Sequence, residues 1–150
     1  MMDMLQRLAL ASAMVVATVL IHFWGLMGLI RLMGESGAHR RARGGYFGQA
    51  SVILFVVFGI FALHTVEIWL YAAAYLWLGE MSTFEPALYF STVTFVALGY
   101  GDVVLTPQWR LVSAIEAANG VILIAWSTTF MFSVTSRLRM LEHDWLDKAD

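Results

Sequence analysis

At 150 residues, 60% of them apolar and only 13% charged, this chain carries more apolar surface than a soluble domain of its length can hide. A soluble fold is excluded, and the mean hydropathy of +0.73 places the chain in a membrane. The formal charge of −2 gives no sign of a nucleic-acid partner, and the absence of cysteine excludes a thiolate metal site.

Residues 1–33 hold the first predicted transmembrane helix. Its run 8–30 is long enough to cross about 30 Å of hydrocarbon, with His22 as its one titratable group. The run is too long for the apolar region of a signal peptide, and no small-residue cleavage site follows it, so it is expected to be retained. Residues 34–50 read as a cytoplasmic basic linker, with five glycines and three arginines within 34–49 and no apolar period. Residues 51–136 form a second unit: an outer helix at 51–79, a short helix at 83–96, a polar strip at 97–102 and a last helix at 110–136. Residues 137–150 are a short cytoplasmic tail. Leu138, Leu141 and Trp145 recur in it at helical spacing, so it either bundles with its copies or lies on the membrane. The fold class is an all-α membrane protein with three transmembrane helices and a half-span. No nucleophile, metal box or phosphate loop marks an enzyme.

The half-span opens on a helix signal. Ser82 with Glu85 three residues later is a capping-box pattern, and Pro86 is tolerated in a first turn. The apolar stretch 87–96 is too short to span and reads as re-entrant; an external loop with one buried turn is the plain alternative. Orientation follows from the nine basic residues. Arg31, Arg40, Arg41 and Arg43 follow the first span, and Arg137, Arg139 and Lys148 follow the third. With three spans these regions share a side, the cytoplasm, so the N-terminus and the strip face outward. The protein is thus a multi-pass integral membrane protein, of the inner membrane if the cell is bacterial.

The strip, within TFVALGYGDVV, needs a role, because irregular backbone at membrane depth survives only where protein buries it or it lines water. Gly99 and Gly101 take positive φ at little cost. Alternating hands along an extended strand turn successive carbonyls to one side. A ring of such carbonyls replaces the water shell of a cation. Tyr100 would then pack behind the strand, and Asp102 at the outer mouth would attract cations.

Residues 84–132 resemble the pore module of tetrameric potassium channels: pore helix, selectivity filter, inner helix. Leu98-Gly99-Tyr100-Gly101-Asp102 is similar to the family's Val-Gly-Tyr-Gly-Asp signature. The resemblance implies a homotetramer, since one strip cannot encircle an ion. It also implies potassium ions held only at the filter backbone of Ala97, Leu98, Gly99, Tyr100 and Gly101, as permeant ligands and with no cofactor. The chain departs from the family in three places. Ala97 replaces the filter's opening threonine and loses its hydroxyl. Tyr89-Phe90 stands where a tryptophan pair is common. Val93 stands where an acid is sometimes found behind the filter. Gly120 lies where the family often bends its inner helix. Val121, Ile124, Ala125, Thr128 and Phe132 recur on one helical face, expected to line the cavity or else to pack in core or lipid, with Phe132 as the candidate gate.

Ionisable residues inside spans are functional candidates by default. Glu116 reads as a filter brace accepting from Ser91, Thr92 or Thr94, with His64 as the alternative partner. Filter support would thus come from Tyr89, Phe90, Thr94 and Glu116. Asn119 is expected to bond across a subunit boundary. His22, His64 and Glu67 read either as a mutually paired group or as a metal or proton site. Arg40, Arg41 and Arg43 read as a topology anchor, with anionic-lipid contact as the sharper alternative. Trp69, Tyr71, Tyr75 and Trp77 read as an interfacial aromatic belt. No span carries arginine at every third position, so no voltage sensor of that type is expected. A potassium-selective channel is the expected function. The alternatives are a weakly selective cation channel and a non-conducting membrane subunit or metal sensor built on His22, His64 and Glu67.

Overall fold

The computed structural model describes residues 4–35 and 46–146. Among the described residues it contains four helices and no strand. They are α1 (Met4–Glu35), α2 (Tyr46–Trp77), α3 (Phe84–Phe95) and α4 (Arg110–Leu146). Three segments are long and apolar enough to cross a membrane: Met4–Gly34, Tyr46–Trp77 and Arg110–Arg137. At 1.5 Å per residue, the 32 residues of α1 or α2 rise about 48 Å, beyond a hydrocarbon layer of about 30 Å. The helical backbone therefore continues past the apolar runs at their ends. Helix α2 begins at Tyr46, inside the stretch expected as linker, and α4 continues to Leu146, through most of the expected tail. Arg40, Arg41 and Arg43, and the side chains of Leu138, Leu141 and Trp145, lie outside the described residues.

Helix α2 ends at Trp77, two residues short of expectation, for a local reason. Gly79 takes φ 73°, its N–H reaches the Leu76 carbonyl at 3.0 Å, and the Glu80 N–H reaches the Tyr75 carbonyl at 3.1 Å. This is a Schellman cap with glycine in its usual left-handed place. Helix α3 starts one residue later than the capping-box pattern places it. Its N-cap is Thr83, and no side chain caps it. Glu85 in the first turn suits the helix dipole. The loop before α4 is tied back by Glu80, which accepts from the Thr106 N–H at 2.7 Å and its hydroxyl at 2.8 Å.

Contacts divide the chain into two compact units, Met1–His22 with Leu63–Ala125, and Phe23–Ala62 with Trp126–Asp150. The first has a core of Ala11, Met14, Tyr71, Tyr75, Phe90, Phe95, Leu105, Trp109, Val112 and Leu123. Tyr71 and Tyr75 are buried there, while Trp69 and Trp77 are exposed. The expected aromatic belt is thus corrected: two of its four members are core residues whose hydroxyls have polar partners. Asn119 is engaged within the chain. Its Nδ2 donates to Thr18 Oγ1 at 2.8 Å and to the Tyr71 hydroxyl at 3.2 Å.

A glycine permits close approach in each unit. In the second, a Cβ on Gly59 would strike the tip of Leu29, with Cδ1 at 3.1 Å and Cγ at 3.3 Å. In the first, a Cβ on Gly120 would be driven into the backbone of Phe95, with its carbonyl carbon at 2.8 Å and Cα at 3.0 Å. A leucine tip rotates away and a helix backbone does not. Gly120→Ala should therefore cost about 2–3 kcal/mol, as overpacking does, and Gly59→Ala should stay within about 1 kcal/mol of the parent after the helix-propensity gain. Thermal midpoints of the purified variants check this, and equal losses would contradict it.

Candidate functional site

Where α3 stops, the strip begins. Val96 closes the helix and Ala97 turns left-handed, at φ 55°. The Ala97 N–H donates to the Thr94 carbonyl and the Leu98 N–H to the Val93 carbonyl, each at 2.8 Å. These are the two bonds of a second Schellman cap, here with alanine in the place glycine usually takes. An L-residue in that hand costs about 1–2 kcal/mol. The Gly99 N–H adds a bond to the Val93 carbonyl at 3.0 Å.

The hand then alternates. Gly99 has φ 51° and Gly101 φ 79°, while Leu98 and Tyr100 between them stay on the ordinary side. Nothing lies within 4 Å of a Cβ placed on Gly99 or Gly101. Glycine is required at these two positions by backbone conformation and not by space. Three successive N–H groups are spent on α3, and no described residue donates to the carbonyls of Ala97, Leu98, Gly99 or Tyr100. Residues 96–102 are exposed in the single chain, Tyr100 among them at 69%. The strip's carbonyls thus have no donor among the described residues, and its residues are exposed in the single chain.

Two groups support this strip. At its far end the Tyr89 hydroxyl donates to Asp102 Oδ2 at 2.7 Å. That bond holds the Asp102 carboxyl below its usual range and pushes the Tyr89 phenol up. The sequence marked Tyr89 and Phe90 as replacements for tryptophans; the reach of a phenol to Asp102 was not read from it. Phe90 instead packs edge-on against Tyr75, with ring centroids 5.3 Å apart.

Behind the strip, Glu116 is fully buried. Ser91 Oγ donates to its Oε1 at 2.6 Å, and the Tyr75 hydroxyl donates to its Oε2. Ser91 also contacts the Ile68 carbonyl at 3.0 Å. Helices α2, α3 and α4 thus meet on one carboxylate. Of the other expected partners, Thr92 bonds the Leu88 carbonyl of its own helix at 2.7 Å, the Thr94 carbonyl accepts from the Ala97 N–H, and His64 lies with Glu67. Tyr75 was the partner the sequence did not suggest.

Along α4, Val121, Ala125, Thr128 and Phe132 are exposed and Ile124 is half-buried against the core. Gly120 differs from them. It is buried against Phe95, a point of close approach between α3 and α4. His22, His64 and Glu67 are brought together, with Glu67 Oε1 2.8 Å from His22 Nδ1 and Oε2 2.8 Å from His64 Nδ1.

A family model described as "Ion channel" matches residues 52–137, more than half of the chain. The chain belongs to that ion-channel family. The match takes in most of α2, all of α3 and the strip, and most of α4, and leaves α1 outside. No curated protein and no solved structure matches the chain.

Two predictions follow from the supports. Removing both acceptor oxygens of Glu116 strands the buried Tyr75 hydroxyl, at about 1–3 kcal/mol, and leaves Ser91 only the Ile68 carbonyl. Glu116→Leu should therefore lower the thermal midpoint well below that of Glu116→Gln, which retains an acceptor; equal midpoints would remove the brace. Asp102 is held ionised by Tyr89, so the bond's contribution is present above the unfolded carboxyl pKa and is lost as pH falls through the lower folded value. Tyr89→Phe should move the Asp102 titration, followed by carboxyl NMR or infrared, to higher pH. An unmoved titration would show that the bond does not form.

Proposed function

We propose that four copies of this chain assemble a potassium-selective channel, each contributing its strip to a common axis. The observation that carries the reading is the alternation of backbone hand at Ala97, Gly99 and Gly101, with the N–H groups of the first three residues bonded away and the carbonyls left for ions. Membership of the ion-channel family supports it. Four such rows would surround a cation with backbone oxygens in successive rings. Closed rotational symmetry is the ordinary way to bring identical strips together. Tyr100, exposed in one chain, would be packed by its neighbours, and Asp102 would stand at the outer mouth. The cavity would be lined by the exposed residues of α4, with Phe132, 73% exposed, as a hydrophobic constriction. The positive-inside pattern puts the strip on the outer face and α4's end in the cytoplasm.

Ala97 bears on selectivity. It keeps a carbonyl and supplies no hydroxyl, so cavity water would complete the innermost site. That favours a second reading, a weakly selective monovalent cation channel. The sites further out depend on backbone oxygens that the substitution leaves in place, which favours potassium selectivity.

Flux into liposomes under potassium and sodium gradients tests the proposal. The parent chain should pass potassium well ahead of sodium. Gly99→Ala, which puts an L-residue into the left-handed region, should cut potassium flux at least tenfold while the oligomer still assembles. Undiminished flux in that variant would contradict the channel assignment of the strip, and equal sodium and potassium flux in the parent would favour the second reading.

A further inference from the structure

We infer that His22, His64 and Glu67 form a binding site for one divalent transition-metal ion, with zinc the species that their donor set suits. The site owes nothing to the strip, and its test stands whether or not the chain conducts.

His22 and Glu67 are fully buried, and His64 is 16% exposed at its side chain. Ionisable groups within spans are expensive and need a partner that justifies them. One ligand atom from each residue lies within 4.8 Å of the others. The two oxygens of Glu67 face different histidines, so the carboxylate stands between two imidazole nitrogens, each at 2.8 Å.

The spacing of the rings suits convergence on one ion. With zinc–nitrogen bonds of about 2.0–2.1 Å, two imidazole ligands at a tetrahedral angle place their ring centroids about 5 Å apart; those of His22 and His64 are 5.5 Å apart and tilted by 31°. Neighbouring nitrogen and oxygen ligands of such an ion lie about 3.3 Å apart, so each histidine moves about half an ångström from its 2.8 Å contact to admit it. The ion takes the place of hydrogen at Nδ1 of each histidine: a neutral imidazole keeps its proton by passing to the Nε2–H tautomer, and an imidazolium releases one proton to solvent.

Two imidazoles and one carboxylate are a borderline donor set. It suits zinc and its neighbours, with a fourth position left for water. Calcium and magnesium require more oxygen ligands than the cluster supplies. His22 comes from α1, outside the stretch matched by the ion-channel family, so the site is completed by a helix that the family's matched segment does not include. The site also touches the end of α3. The His64 ring lies against that of Phe95, with centroids 5.7 Å apart, and Phe95 is the last residue of α3. An ion that shifts His64 relative to Glu67 therefore acts on the residue two positions before Ala97.

The test is zinc binding by the full-length purified chain after chelator treatment. One zinc per chain should be retained, and its addition should raise the thermal midpoint by about 5 °C, as a ligand specific for the folded state does. His64→Gln keeps a hydrogen bond to Glu67 and should weaken zinc affinity at least tenfold, as should Glu67→Gln. Cobalt(II) bound to the unaltered chain provides a readout that needs no variant, and it should show the intense visible bands of four-coordination. No zinc retained would overturn the site. Equal affinity in His64→Gln would also overturn it, placing the metal at His39 or His143, the remaining histidines of the sequence. So would the weak bands of hydrated cobalt.

Discussion

A carboxylate sealed among three helices must be satisfied where it stands, and this constraint organises the unit that carries the strip. Glu116 receives hydroxyls from Ser91 on α3 and Tyr75 on α2 while belonging to α4. Each hydroxyl fixes the rotation of its own helix about the shared group, because an unmet buried acceptor costs more than a single hydrogen bond gains. One turn further along α4, Gly120 brings that helix against the backbone of Phe95. The end of α3 is thus fixed from behind by polar contacts and from the side by close packing. The strip begins two residues later, so its first carbonyls are aimed by these contacts.

The strip is an extension of the helix end. The last carbonyls of α3 have no partner in their own helix, and the strip's first N–H groups meet them. A single exchange satisfies the helix end and occupies the first three N–H groups of the strip. Ala97 belongs to both devices, as the left-handed residue of the cap and the first of the alternating series. Asp102 is tied to α3 by Tyr89, so the strip is held at both ends by the same short helix.

Much of this was legible in the sequence. Three long apolar runs announced the spans, and a short fourth run followed by paired glycines announced α3 and the strip. Glu116 stood out because a carboxylate in a span demands partners, and so did the group of His22, His64 and Glu67. What the sequence hid depended on distance across the fold. Tyr71 and Tyr75 look like interface aromatics by composition, and only packing shows that their hydroxyls face Asn119 and Glu116. Asn119 pairs with Thr18 across 101 positions of sequence, a separation that no local pattern encodes. The cap at Thr83 and the stop at Gly79 moved helix ends by one or two residues, as end assignments commonly do. Gly120 showed that a glycine in a span suits bending or close approach equally well until its neighbour is known. The positive φ of Ala97 had no sequence signal, because alanine is not a residue that ordinarily takes it.

The central claim is that four strips face one axis and offer their carbonyls to ions. It is tested most directly by an experimental structure of the assembled protein in potassium, with thallium exchanged to mark ion positions. The account predicts ions on a fourfold axis opposite the carbonyls of Ala97, Leu98, Gly99 and Tyr100, with the left-handed backbone retained at Ala97, Gly99 and Gly101. Strips turned toward lipid, or carbonyls bonded to protein donors with no ion density between them, would contradict it.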